Sequence, residues 1–184
     1  TSCQGYFDST RLSKGWRYGN IDTPTAPLNT WQTAGRGQNA LLPHHTKLLI
    51  QANSSTTTSS AIVDQSAFGH PLTVTGAVQS QTITNFGNTA FYFDGTDDKI
   101  ESVYNADLNL GTNDYSIEFW IYKISDGADT AILSFGGPDP SSQSDGWKVL
   151  HKTSNKHMMM SHRVSSSDTH TETTSTIEYL NWYH

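Results

Sequence analysis

Cysteine is almost missing: Cys3 is alone among 184 residues. An internal disulfide is therefore excluded, and so is a metal site built on several thiolates. A lone thiol this near the first residue reads as a free cysteine in a loose leading segment, and cysteine poverty suits folding in a reducing compartment. Positive charge is scarce too. Eleven Lys and Arg stand against 17 Asp and Glu, a formal net charge of −6, which argues against nucleic acid as a partner. No apolar run approaches the roughly 20 residues of a membrane-crossing helix, so membrane insertion is not expected. There is no basic-then-apolar start like a signal peptide. Sustained helical periodicity is absent, as is any repeat of solenoid or propeller length. A phosphate-cradling glycine loop, a nucleophile elbow and a catalytic triad are all missing.

What is present is serine, threonine and short alternating runs. Ser and Thr make up about a quarter of the chain, and 34% of it is hydrophobic, a mix that suits exposed strands and polar loops rather than a helical bundle. The clearest signal lies between Asn88 and Tyr122. Ala90 to Phe93 is a short aromatic run, and Asp94-Gly95-Thr96-Asp97-Asp98 turns the chain. Tyr115 to Lys123 alternates: Tyr115, Ile117, Phe119 and Ile121 fall on one face, and Ser116, Glu118, Trp120 and Tyr122 on the other. Further strands are expected at 48–52, 72–75, 82–84, 131–135, 147–151 and 156–164, with a polar hairpin at 165–176 and one more strand beginning in 177–184. The expected fold class is an all-β, antiparallel sandwich.

The ordered blocks Ala-Phe-Tyr-Phe-Asp-Gly-Thr (90–96), Lys99-Ile100, Asp107-Leu108-Asn109-Leu110-Gly111-Thr112 and Asp114 to Tyr122 resemble the concanavalin A-like lectin/glucanase superfamily, and within it the laminin-G-like domains. Lys47 to Ile50, Val63 to Ser66 with Gly69-His70, and Trp182-Tyr183-His184 are similar to further blocks in the same order. The resemblance covers about residues 47–184 and implies a jelly-roll β-sandwich, not in itself a function.

Three sets of candidate site residues follow. The glucanase branch implies two carboxylates on one strand face. Here Glu118 is the lone acid on its face, with Ser116, Trp120 and Tyr122 for neighbours, so glycoside hydrolysis and enzymatic activity generally are not expected. Glu118, Trp120 and Tyr122 together read as a shallow carbohydrate-binding face, since saccharides stack on aromatic rings beside a polar group. Many relatives bind calcium through loop oxygens. Asp94, Asp97 and Asp98 in one turn, with Asp64 in the Asp-Gln-Ser block, are the candidate Ca²⁺ ligands. The eight histidines show no zinc-like spacing: His44 and His45 are adjacent, and His157 and His162 fall on opposite faces of a strand. Met158-Met159-Met160 reads as core and surface alternation.

Residues 1–46 differ in character from the rest. Three prolines and five glycines break any long element, and Trp16, Tyr18 and Trp31 show no period. The expectation is an irregular docking arm anchored on a partner by Trp16, Tyr18 and Trp31, followed by the sandwich at 47–184. Cysteine-poor, Ser/Thr-rich laminin-G-like domains resemble those of bacteriophage tail fibre, tail and capsid-associated proteins. The resemblance implies a non-enzymatic virion structural or adhesion protein, homo-oligomeric, that contacts other virion subunits or a host surface glycan. A secreted or cell-surface carbohydrate-binding module is the alternative, with a glycosidase relative behind it. Relatives carry several more strands after the Trp-Tyr-His block, so a biological chain longer than 184 residues is expected, with those strands closing both sheets.

Overall fold

The computed structural model describes residues 3–14, 46–52, 62–111, 114–125, 128–136, 146–164 and 167–184. Twelve strands appear in chain order. They are β1 (Gln4–Lys14), β2 (Thr46–Ile50), β3 (Leu72–Thr75), β4 (Val78–Ser80), β5 (Ala90–Asp94), β6 (Lys99–Ser102), β7 (Tyr115–Ser125), β8 (Thr130–Phe135), β9 (Gly146–His151), β10 (Met158–Val164), β11 (Ser167–Glu172) and β12 (Trp182–Tyr183). A 3-10 turn, Ala106–Leu108, is capped by Asn105, whose side chain accepts from Asp107 N–H. The protein is an all-β, antiparallel sandwich, as its alternating runs predict.

The larger sheet runs β12-β7-β1-β5-β4, with β2 also on β1. β5 and β2 share one side of β1 end to end: Gln4 to Phe7 pair with β5, and Thr10 to Ser13 with β2. β7 covers the other side over nearly the whole length. A second sheet runs β11-β10-β9-β8, and β3 and β6 form a two-stranded ribbon. Between the layers lie two apolar clusters. One gathers Cys3, Phe7, Ile50, Phe91 and Ile121; the other gathers Leu12, Leu108, Leu110, Trp147 and Val149. Ile117 and Phe119 pack inward beside them, while Tyr115 at the strand's start stays 41% exposed. Met158 and Met160 also pack inward, as their alternation requires. A polar pair sits among these side chains: Lys123 Nζ lies 2.9 Å from His151 Nδ1, both residues fully buried.

Two expectations need correction. The boundary at 46/47 assigns the leading residues to an irregular arm, yet residues 4–14 are the central strand of the larger sheet, and Cys3 is a core residue rather than a loose thiol. The cause is a bulge. The β1–β7 register shifts between Asp8 and Arg11, around Ser9, whose φ is +51°. Cys3 and Phe7 point inward before it, Leu12 after it, so the even-odd pattern reverses partway and no single alternation runs through the segment. Gly5 is required here, because a Cβ would stand 2.5 Å from the Tyr122 carbonyl oxygen on β7. Residues 82–84, expected as a strand, are bends; the strand is β4, four residues earlier, paired with β5. Trp16, Tyr18 and Trp31 lie outside the described residues.

Candidate functional site

The outer face of the larger sheet collects the side chains that alternate away from the core. β7 contributes Glu118, Trp120 and Tyr122, the three residues that its period places together. Their neighbours decide what each can do. Glu118 is buried and bound to Arg11 of β1: Arg11 Nε donates to Glu118 Oε2 at 3.2 Å, and Nη2 lies 3.1 Å from the same oxygen. That carboxylate is committed to the sheet and does not face a ligand. Trp120 is half-buried between two other rings. Phe86 meets it edge-on at 5.1 Å and His184 lies tilted at 5.0 Å. The open stacking face expected of Trp120 is therefore taken up by packing.

Tyr122 belongs to a larger arrangement. Residues in register across four strands, Tyr92 on β5, Tyr6 on β1, Tyr122 on β7 and Trp182 on β12, form one aromatic row perpendicular to the strands. Successive ring centroids lie 4.9, 6.2 and 5.6 Å apart. Tyr6 is buried in the middle of the row, and Tyr92, Tyr122 and Trp182 are partly buried around it. Val78 of β4 extends the row at 38% exposure. Sequence alternation along β7 points to Tyr122 alone. Tyr6, Tyr92 and Trp182 join it only through cross-strand register, for which no local signal exists, although Gln4, Tyr6 and Asp8 do share a face.

Next to the row lies Asp8, with no exposed surface. Its carboxylate accepts from Phe86 N–H at 3.0 Å and from Ser9 Oγ at 3.0 Å. Burial pushes its pKa up to about 6, against the lowering effect of those hydrogen bonds. Asp8 pins the 81–89 segment, and with it Phe86, over Trp120.

The acidic turn does come together. One carboxylate oxygen each of Asp94, Asp97 and Asp98 lies within 4.8 Å of the others. Asp98 Oδ2 accepts from Asp94 N–H at 2.6 Å, and Asp94 Oδ1 from Thr96 N–H at 2.7 Å. Burial, then repulsion from Asp94 and Asp97, raises the Asp98 pKa. Three carboxylates form a hard, anionic donor set of the kind that suits calcium, with part of each ligand sphere spent on the turn itself. Asp64 is elsewhere. Its two oxygens accept from Leu49 N–H, Ser66 N–H, Ser66 Oγ and His70 N–H at 2.8–2.9 Å. It ties the 64–70 turn to β2 and is not a fourth ligand of the acidic turn.

Among the described residues no helix is long and apolar enough to cross a membrane. A family model described as "Clostridium neurotoxin, N-terminal receptor binding" matches residues 59–183, more than half of the chain. That family is a lectin-like, jelly-roll-like sandwich, so the expected architecture stands. The matched span begins after β1 and β2, although both lie in the larger sheet. No curated protein and no solved structure matches the chain.

Proposed function

The chain belongs to the Clostridium neurotoxin N-terminal receptor-binding family, and on that premise we propose a non-enzymatic receptor-binding domain that adheres to host-surface glycans. The observation that carries this reading is the row Tyr92–Tyr6–Tyr122–Trp182. Partly exposed rings spaced about one strand apart offer successive stacking surfaces for sugar rings, and the phenol hydroxyls add donors and acceptors at their edges. The site residues are then Tyr92, Tyr122 and Trp182, with Trp120 and Glu118 holding the same face of the sheet beside them.

Such a shallow face binds weakly, on the order of millimolar per site, and gains strength from repetition. A carrier with many copies follows. Ser/Thr-rich, cysteine-poor composition and the laminin-G-like blocks support a virion as that carrier, with a homo-oligomeric adhesin on its surface. The test is a glycan array probed with the chain displayed multivalently. Binding that is lost in Tyr122→Ala and in Trp182→Ala, with melting curves close to the parent, supports the reading. Absence of binding to every glycan on the array refutes it. Calcium at Asp94, Asp97 and Asp98 belongs to the same proposal as a stabiliser of the 94–98 turn rather than as a bridge to the sugar.

A further inference from the structure

A second row runs beside the aromatic one, further along the same strands. Gln4 of β1 stands opposite Asp94 of β5 on one side and Ser125 of β7 on the other. Gln4 and Asp94 share the outward face with Tyr6 and Tyr92, since each lies two positions away in its strand. Ser125 comes into line through the register shift between Gln4 and Gly5. The side chains are linked across the strands. Ser125 Oγ donates to Gln4 Oε1 at 2.7 Å, and Gln4 Nε2 lies 3.5 Å from Tyr92 Oη. Asp94 and Ser125 are exposed, and Gln4 is partly buried. The acidic turn packs against this edge: a Cβ on Gly95 would stand 2.9 Å from Gln4 Cβ. Asp94, Asp97 and Asp98 are thereby held at the Tyr92 end of the row. On the opposite side of the row, Phe86 stands edge-on to Trp120. The face thus has an aromatic floor, an apolar wall and a polar edge that carries negative charge.

We propose that this face selects a neutral, extended, β-1,4-linked glycan and rejects the same chain carrying carboxylates, with Gln4 as a specificity-determining residue. The proposal rests on the glycan-binding reading above and names its ligand class. The row crosses four strands in register, so one ligand covers it only as an extended chain. An equatorial 1,4 linkage keeps successive pyranose rings in line, each with a flat C–H face for an aromatic ring below. The equatorial hydroxyls then point sideways, towards the edge. There a carboxamide and a hydroxyl meet them, and both donate and accept as a sugar hydroxyl does. The Gln4 amide nitrogen carries two hydrogens, of which Tyr92 Oη takes at most one, so it retains the capacity to donate to a ligand oxygen.

Charge decides between neutral and acidic chains. Successive rings of an extended β-1,4 chain are turned over, so every second C6 group faces the polar edge. A C6 hydroxyl there donates to Asp94 or accepts from Gln4. A C6 carboxylate meets the carboxylates of the turn instead, and like charges at an exposed edge repel to an extent that salt screens. Those carboxylates already repel one another: after burial, Asp94 and Asp97 are what raise the Asp98 pKa. The net charge of −6 adds a longer-ranged repulsion of any acidic polymer.

NMR titration of the 184-residue chain tests this. Cellohexaose is the neutral probe, and the same hexasaccharide oxidised to carboxylates at C6 is the acidic one. Excess chelator is present, so that the turn keeps its charge. Cellohexaose is expected to bind at least tenfold more tightly than the acidic probe. That ratio should fall at least threefold in about 1 M salt, where the Debye length is about 3 Å. Asp97→Lys, at an exposed position, should also narrow it at least threefold. Gln4→Glu keeps the shape of the side chain, removes the donor and adds a charge. It should weaken cellohexaose at least fivefold and the acidic probe further, with a melting curve close to the parent. Equal or tighter binding of the acidic probe overturns the proposal. So does Gln4→Glu binding cellohexaose as the parent does, and so does a parent chain that binds neither probe. In each case the glycan array separates the two readings: binding to other glycans leaves the glycan reading standing, and an array without binding removes both.

Discussion

Asp8 makes the folded protein more stable in mild acid than at neutrality. Its pKa is pushed up to about 6 in the folded chain, from 3.8 for an ordinary carboxyl. Above pH 6 both states carry the charge, and the folded state holds it buried. As the pH falls from 6 towards 4 the folded state takes up a proton that the unfolded state does not yet bind, so stability rises. The limit is about 3 kcal/mol, from a difference of about two pKa units at 1.36 kcal/mol each, and about 1.3 kcal/mol of it develops between pH 7 and pH 5. Asp8→Asn is the control. Its amide oxygen still accepts from Phe86 N–H, and its amide nitrogen donates to Ser9 Oγ, which now accepts. The packing is kept and the titration removed. The quantity to measure is the difference in unfolding free energy between parent and Asp8→Asn at each pH, since every titration common to both cancels in it. Urea melts serve: with a slope near 2 kcal/mol/M, the two midpoints should converge or diverge by roughly 0.6 M between pH 7 and pH 5, in favour of the parent at the lower pH. A difference that stays constant from pH 7 to pH 4 would show that Asp8 is not a raised carboxyl and that the segment over Trp120 is held some other way.

Two further outcomes are expected. Glu118→Gln removes the described counter-ion of a buried Arg11 and should cost about 3–5 kcal/mol, while Arg11→Met/Glu118→Leu should recover most of that, because an apolar pair carries no desolvation penalty; chemical denaturation of the two variants against the parent checks it, and equal losses in both would mean that packing rather than charge sets the cost. Melting with 1 mM calcium against excess chelator should raise the transition in the parent by mass action and leave Asp97→Asn/Asp98→Asn unmoved, and superimposable parent curves would reject the calcium site.

Much of the fold was legible because most strands obey one rule. Where a strand has one face inward, alternation or a short apolar run survives in the sequence, and β3, β5, β7, β8 and β9 lie within a residue or two of the positions that those runs predict. β1 is different in kind. It is buried on both faces, with Asp8, Ser9 and Arg11 satisfied by partners on one side and apolar residues on the other. A buried strand made of polar residues leaves no hydrophobic signature, since its cover comes from residues distant in sequence. β4 is only three residues long, too brief to show a period. The candidate site divides the same way. β7 placed Glu118, Trp120 and Tyr122 on one face correctly, because that is a local property. What each residue does there depends on cross-strand neighbours. Arg11 turns Glu118 inward to the sheet, and Phe86 with His184 encloses Trp120, and neither is visible along β7 alone.

The bulge at Ser9 links the two halves of this arrangement. Before it, β1 sends Tyr6 outward to the aromatic row and Phe7 inward; after it, Arg11 goes outward to Glu118 and Leu12 inward to the second cluster. A strand of uniform period cannot do both, since with Phe7 inward its next inward positions would be Ser9 and Arg11, which would set a guanidinium among Leu108, Leu110 and Trp147. The extra residue restores the phase, and its left-handed φ is the conformation that the bulge requires. Asp8 sits at the first position of that bulge, and its carboxylate accepts from Ser9 Oγ and from the 81–89 segment together. The phase of the sheet, the cover over Trp120 and the proton affinity of Asp8 therefore meet at one residue, and Asp8→Asn isolates the last of them because it keeps the first two.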